Sequence, residues 1–101
     1  MSKQATIEQR IYLGNRAKEV IENEAYIAAF ESIEQEIVEQ WKKSPARDEA
    51  GRQSLWQYLQ MLSKVKATLQ TTMETGKLAM LDLEHKQTLR DRLRGTFSRA
   101  A

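Results

Sequence analysis

Two long apolar stripes at helical spacing, parted by a single proline, constrain this chain more than any other feature. The first runs Tyr26, Phe30, Ile33, Ile37, Trp41, and the second runs Leu55, Leu59, Leu62, Val65, Leu69, Met73. Steps of three and four residues put each set on one side of an α-helix. Between them stands Ser44-Pro45-Ala46, with the only proline of the chain. Proline lacks the N–H that continues a helix but fits the first helical position, so it ends one helix and opens another. The pattern predicts an all-α fold built on a long antiparallel helical hairpin.

The rest of the chain can be placed around that hairpin. Residues 1–5 show no pattern and are expected to be loose. Thr6 is a good N-cap with Glu8 in the first turn, which predicts an N-terminal helix over 6–22. Its apolar side holds Ile7, Ile11, Ala17 or Lys18, and Ile21, with Leu13 and Val20 on the flanks. Gly14 weakens this segment by ~1 kcal/mol. A bend is expected at Glu22-Asn23-Glu24, where Asn23 can cap the next helix, over 24–43. Ser44 is the expected cap of the third helix, with Pro45 at its first position and Asp48 as the alternative cap. That helix is expected to stop near Thr75, with Gly76 as its C-terminal signal. Lys77 to Arg94 is again helix-compatible, with Leu78, Leu81, Leu89 and Leu93 as its apolar positions. One domain results: a helical core over 6–84 and a basic C-terminal helical extension over 85–101.

Composition agrees and narrows the chemistry. The chain has 101 residues, four glycines and no cysteine, so disulfides and thiolate metal ligands are excluded. No apolar run approaches the ~20 residues of a membrane span, and the N-terminus lacks the apolar segment of a signal peptide. A soluble cytoplasmic protein with no membrane partner is expected. Net charge is +2. Its distribution says more: from His85 onward five basic residues oppose one acidic, giving +4, and the rest of the chain carries −2.

Catalytic inventory is thin. His85 is the single histidine, and a helical di-metal site needs two such ligands with further carboxylates. Glu31, Glu34, Glu36 and Glu39 could be taken as paired carboxylates, but Glu31, Glu34 and Glu39 read as the wet side of an amphipathic helix rather than as an acid–base pair. No serine has a base nearby in sequence. Gly76-Lys77 lacks the earlier glycine of a phosphate loop. No catalytic, cofactor-binding or metal-binding residue is therefore assigned, and the chain is read as a non-enzymatic protein. Two surfaces stand out instead. Trp41, Trp56, Tyr58 and Met61 form a candidate protein interface, because more apolar helix surface is present than one hairpin can bury. A homo-oligomer, most simply a dimer, is expected. Lys86, Arg90, Arg92, Arg94 and Arg99 are candidate nucleic-acid contacts, with Lys86, Arg90 and Arg94 recurring every four residues. No recognition motif accompanies them, so a solvated helix end is the stronger reading of the strip.

The segment Trp41-Lys42-Lys43-Ser44-Pro45-Ala46-Arg47-Asp48 is followed by Arg52, Leu55-Trp56, Leu59, Val65, Leu69 and Thr75-Gly76-Lys77-Leu78-Ala79. Over residues 16–84 this pattern resembles small all-helical proteins of tailed phages and prophages. The resemblance implies a phage origin more than an activity; with the helix-only architecture and the absent catalytic residues, it leads to the expectation of a protein-interaction module for virion assembly or DNA packaging. The alternatives are an inhibitor of a host defence or transcription protein, and a non-specific nucleic-acid-binding accessory protein. It also implies the host cytoplasm or the virion as location, and another phage or host protein as partner. The basic end from Lys86 lies outside the matched region.

Overall fold

The computed structural model describes residues 5–100, and side chains through Gly95. The expected loose N-terminus lies outside the described residues except for Ala5. Three helices make up the described chain: α1 (Ile7–Ile21), α2 (Glu24–Lys43) and α3 (Glu49–Ala100). The molecule is elongated, with extents of 82 × 32 × 18 Å and a radius of gyration of 22.4 Å. A compact domain of this length would have a radius near ~13 Å.

Side chains fix the start of α1, and backbone N–H groups of Glu22 and Asn23 close its end on the Lys18 and Val20 carbonyls. The Thr6 hydroxyl accepts from the Gln9 N–H at 3.1 Å, and Gln9 Oε1 accepts from the Thr6 N–H at 2.9 Å, a reciprocal capping box. Gly14 does not interrupt the helix. The bend falls where expected, and Asn23 Oδ1 accepts from the Tyr26 N–H at 3.1 Å as the cap of α2.

The start of α3 differs from the first expectation. Ser44 closes α2 instead of opening α3: its N–H and its hydroxyl both donate to the Trp41 carbonyl, at 3.2 and 2.6 Å. Pro45 lies in the turn. Asp48, the alternative, is the cap, with its Oδ1 accepting from the Gly51 N–H at 3.0 Å. A carboxylate gains from the positive end of the helix dipole in addition to the hydrogen bond, whereas the serine hydroxyl is already engaged.

The larger correction concerns Gly76. The expected stop there does not occur, and α3 runs unbroken for 52 residues. At 1.5 Å per residue it spans ~78 Å, the long axis of the molecule. A glycine stop needs left-handed backbone. None of the described glycines has positive φ. Lys77-Leu78-Ala79-Met80-Leu81 are good helix formers, so one glycine costs ~1 kcal/mol and the helix continues.

Gly76 instead meets α1. A Cβ on Gly14 would lie 2.7 Å from the Gly76 Cα, and one on Gly76 would lie 2.8 Å from the Gly14 Cα. The two backbones touch where both side chains are missing. Ala17 and Ala79, three residues on in each helix, are buried beside them. Ile7, Ile11 and Ile21 are half-buried on this side of α1, and Leu13 and Val20 stay exposed, as the stripe predicts.

α2 meets α3 through longer side chains. Ile37 is the only large apolar residue that is buried among the described residues. Within α2, the Tyr26 and Phe30 rings pack at a tilt of 41° with centroids 4.5 Å apart. Glu34, expected on the wet side, instead accepts from Lys66 Nζ at 2.8 Å. That bond holds the Lys66 ammonium above its ordinary pKa. A raised folded-state pKa means the contribution is fully present below the unfolded lysine value and is lost as pH rises through the folded one. The lysine half of this tie is therefore lost in alkali.

Arg52 clasps the turn. Its guanidinium sits 3.8 Å from the centre of the Trp41 ring. Its Nη1 donates to the Ser44 hydroxyl at 3.0 Å, the Ser44 carbonyl at 3.3 Å and the Trp41 carbonyl at 3.4 Å. These carbonyls belong to the end of α2, where donors are scarce. Arg52→Ala should lower stability by about 1–2 kcal/mol, from the lost stack and the orphaned carbonyls. Arg52→Lys should recover less than half, because an ammonium lacks the planar fork. Thermal melts of the three proteins check this.

Candidate functional site

The four expected interface residues line three adjoining grooves on the first half of α3. On one side of the α2–α3 seam, Ile33, Glu36, Ile37 and Gln40 face Leu55, Tyr58, Met61 and Leu62 around a groove of about 400 Å³. On another, Val38 and Trp41 meet Trp56 and Leu59 in a nearly all-apolar cleft. A shallow outer groove, lined by Trp56, Gln57, Gln60, Met61 and Lys64, lies along α3 itself. Trp41 is brought beside Trp56, and Tyr58 beside Met61. The result is a band around the helix rather than a flat patch. Positions two residues apart on an α-helix stand ~200° apart, so Trp56 and Tyr58 flank the half-buried stripe on opposite sides.

Exposure sets the chemistry of this band. Trp56 is 52% exposed, Tyr58 59% and Met61 61%. Trp41 is less available, because Arg52 covers one face of its ring. Aromatic and methionine side chains of this kind, half in water and bordered by Gln and Lys, suit a partner surface.

The basic candidates sit farther along the same helix. Leu83 is the last half-buried residue of α3, and every residue from Glu84 through Gly95 is exposed. Lys86 pairs with Asp82 at 3.1 Å, one helical turn earlier. Arg90, Arg92 and Arg94 are exposed on this arm, while the side chain of Arg99 lies outside the described residues. The expected separate extension is continuous with α3. The leucines of this half, Leu78, Leu81, Leu89 and Leu93, are all exposed. They share one side of α3, and no described helix packs on that side.

His85 lies on the exposed arm. Among the described residues, no group of three His, Asp or Glu side chains could hold a metal ion. No described helix is long and apolar enough to cross a membrane.

The chain matches no known protein-family model, no curated protein and no solved structure.

Sequence reasoning missed the Gly14–Gly76 contact. The signal was present as Gly14-x-x-Ala17 and Gly76-x-x-Ala79, two small-residue pairs at the spacing that lets helices approach closely. Each glycine was read locally, one as a weakness and one as a stop.

Proposed function

We propose that this chain is a non-enzymatic helical module that acts by docking onto other proteins through the apolar band of α2 and α3. One observation carries the reading: Trp56, Tyr58 and Met61 are more than half exposed, while among the described residues the buried apolar side chains are only Ala17, Ile37 and Ala79. A surface so apolar on so thin an interior fits a chain completed by a partner. α2 and α3 would form the rigid mount. Contacts from Trp41 to Arg52 and from Glu34 to Lys66 move forward on one helix as they move back on the other. That ordering supports the antiparallel hairpin.

The setting we propose is phage virion assembly or DNA packaging, in the host cytoplasm or on the virion. It rests on the resemblance carried by the Trp41–Asp48 turn and the Thr75–Ala79 segment. The non-enzymatic reading rests on composition, with one histidine and no cysteine to supply a base or a thiol nucleophile. Purifying tagged chain during a phage infection tests the reading. Recovery of capsid, portal or terminase proteins in fixed ratio is the expected result. A host enzyme in their place makes the chain an inhibitor, and loss of any capture must accompany Trp56→Glu. Capture unaffected by that substitution overturns the apolar band as the docking surface.

A further inference from the structure

We propose that the chain forms a two-fold homodimer in which the exposed arm of α3 from each copy lies in the α2–α3 groove of the other. This rests on the reading of the chain as an interaction module and names its first partner.

Surface area makes the first argument. The chain exposes 8536 Å². A compact monomer of 11.7 kDa exposes only ~5,900 Å². The excess, ~2,600 Å² per chain, exceeds the roughly 600–1,000 Å² that each partner buries in an ordinary stable interface. A second copy is large enough to take it up.

Charge makes the second. α2, which forms one wall of the groove, is net −3 as a helix, and of its five glutamates Glu36 lines the groove itself, while Glu34 and Glu39 pair with Lys66 and Lys42. The arm from His85 to Gly95 carries Lys86, Arg90, Arg92 and Arg94 against Asp91, a net +3. Leu89 and Leu93, 44% and 58% exposed, supply the apolar anchors. Ile33, Tyr58 and Met61 supply the floor that receives them, with Glu36 at its rim. Complementary charge of this kind fixes register and orientation.

Reach makes the third. Met61 and Leu89 lie on one straight helix, ~42 Å apart at 1.5 Å per residue. Two copies running in opposite directions therefore place each arm over the other's groove at once. The contact is reciprocal, so it closes at two copies instead of growing into a filament.

The absence of native cysteine gives a clean test. Met61→Cys chains and Leu89→Cys chains are mixed under oxidised glutathione. A disulfide needs Cα atoms within ~7 Å. Positions 61 and 89 cannot approach so closely within one chain, so any 61–89 bridge joins two copies. The expected result is a bridged dimer from the mixture, with far less from either variant alone. Light scattering on the unmodified chain should give twice 11.7 kDa. Arg90→Glu with Arg94→Glu should return it to monomer, and adding Glu36→Arg should restore the dimer at least partly. A monomer at high concentration overturns the exchange. So does a dimer bridged 61–61 or indifferent to the arm charges, although that outcome leaves the interaction module standing. An arm whose reversal abolishes salt-sensitive binding of duplex DNA without altering the dimer also overturns it, and assigns the strip to nucleic acid.

Discussion

Gly76→Val should detach α1 and cost the molecule roughly 3 kcal/mol, the upper end of what overpacking exacts. A Cβ at this position meets the Gly14 Cα at 2.8 Å and the Arg10 carbonyl oxygen at 2.9 Å. Both are backbone atoms, so no rotamer change can make room. Gly14→Val should do the same, since its Cβ meets the Gly76 Cα at 2.7 Å. Helix propensity pulls the other way, because valine and alanine both favour a helix over glycine. Gly95→Ala isolates that opposing term. Nothing lies within 4 Å of a Cβ there. It should raise stability by about 0.5–1 kcal/mol. Urea denaturation measures all three, and limited proteolysis within residues 5–23 reports the release of α1. If Gly76→Ala stabilises as Gly95→Ala does, the two backbones are not in contact.

The same pair of glycines shows what the sequence could and could not convey. Helix type and most boundaries were legible because they depend on neighbours three and four residues apart. Asn23, Thr6 and the Lys42-Lys43 end needed no tertiary knowledge. Choosing Asp48 over Ser44 turned on whether the serine hydroxyl was free, and it donates to the Trp41 carbonyl while accepting from Arg52. Gly76 was misread because a glycine that ends a helix and a glycine that admits another helix look alike locally. Only a partner 62 positions away distinguishes them. Glu34 was misread for a related reason: its charge argued for solvent, and Lys66 answers it from another helix. The candidate interface fared differently. Trp56, Tyr58 and Met61 were legible as residues off the main apolar stripe, and they are exposed. That they wrap the helix in adjoining grooves, with Arg52 over Trp41, depends on α2 and could not be read from spacing.

Ile37→Asn and Ile33→Asn, one turn apart on α2, should then separate the interior from the assembly surface. Ile37 is 7% exposed and Ile33 42%. In dilute monomer, Ile37→Asn should cost about 3 kcal/mol, from lost burial and an amide placed where water is excluded. Ile33→Asn should cost less than ~1 kcal/mol there, because water already reaches the side chain. An uncharged amide is used at both sites so that the arginine-rich arm does not enter the comparison. Raising the protein concentration changes the second value alone. If a second copy covers the groove, Ile33 becomes interior, and its cost should climb toward that of Ile37 as the dimer fills. Equal and concentration-independent costs would mean that Ile33 is already sheltered within one chain. A cost for Ile33 that stays small at every concentration would mean that nothing covers the groove, and the proposed dimer would fall with it.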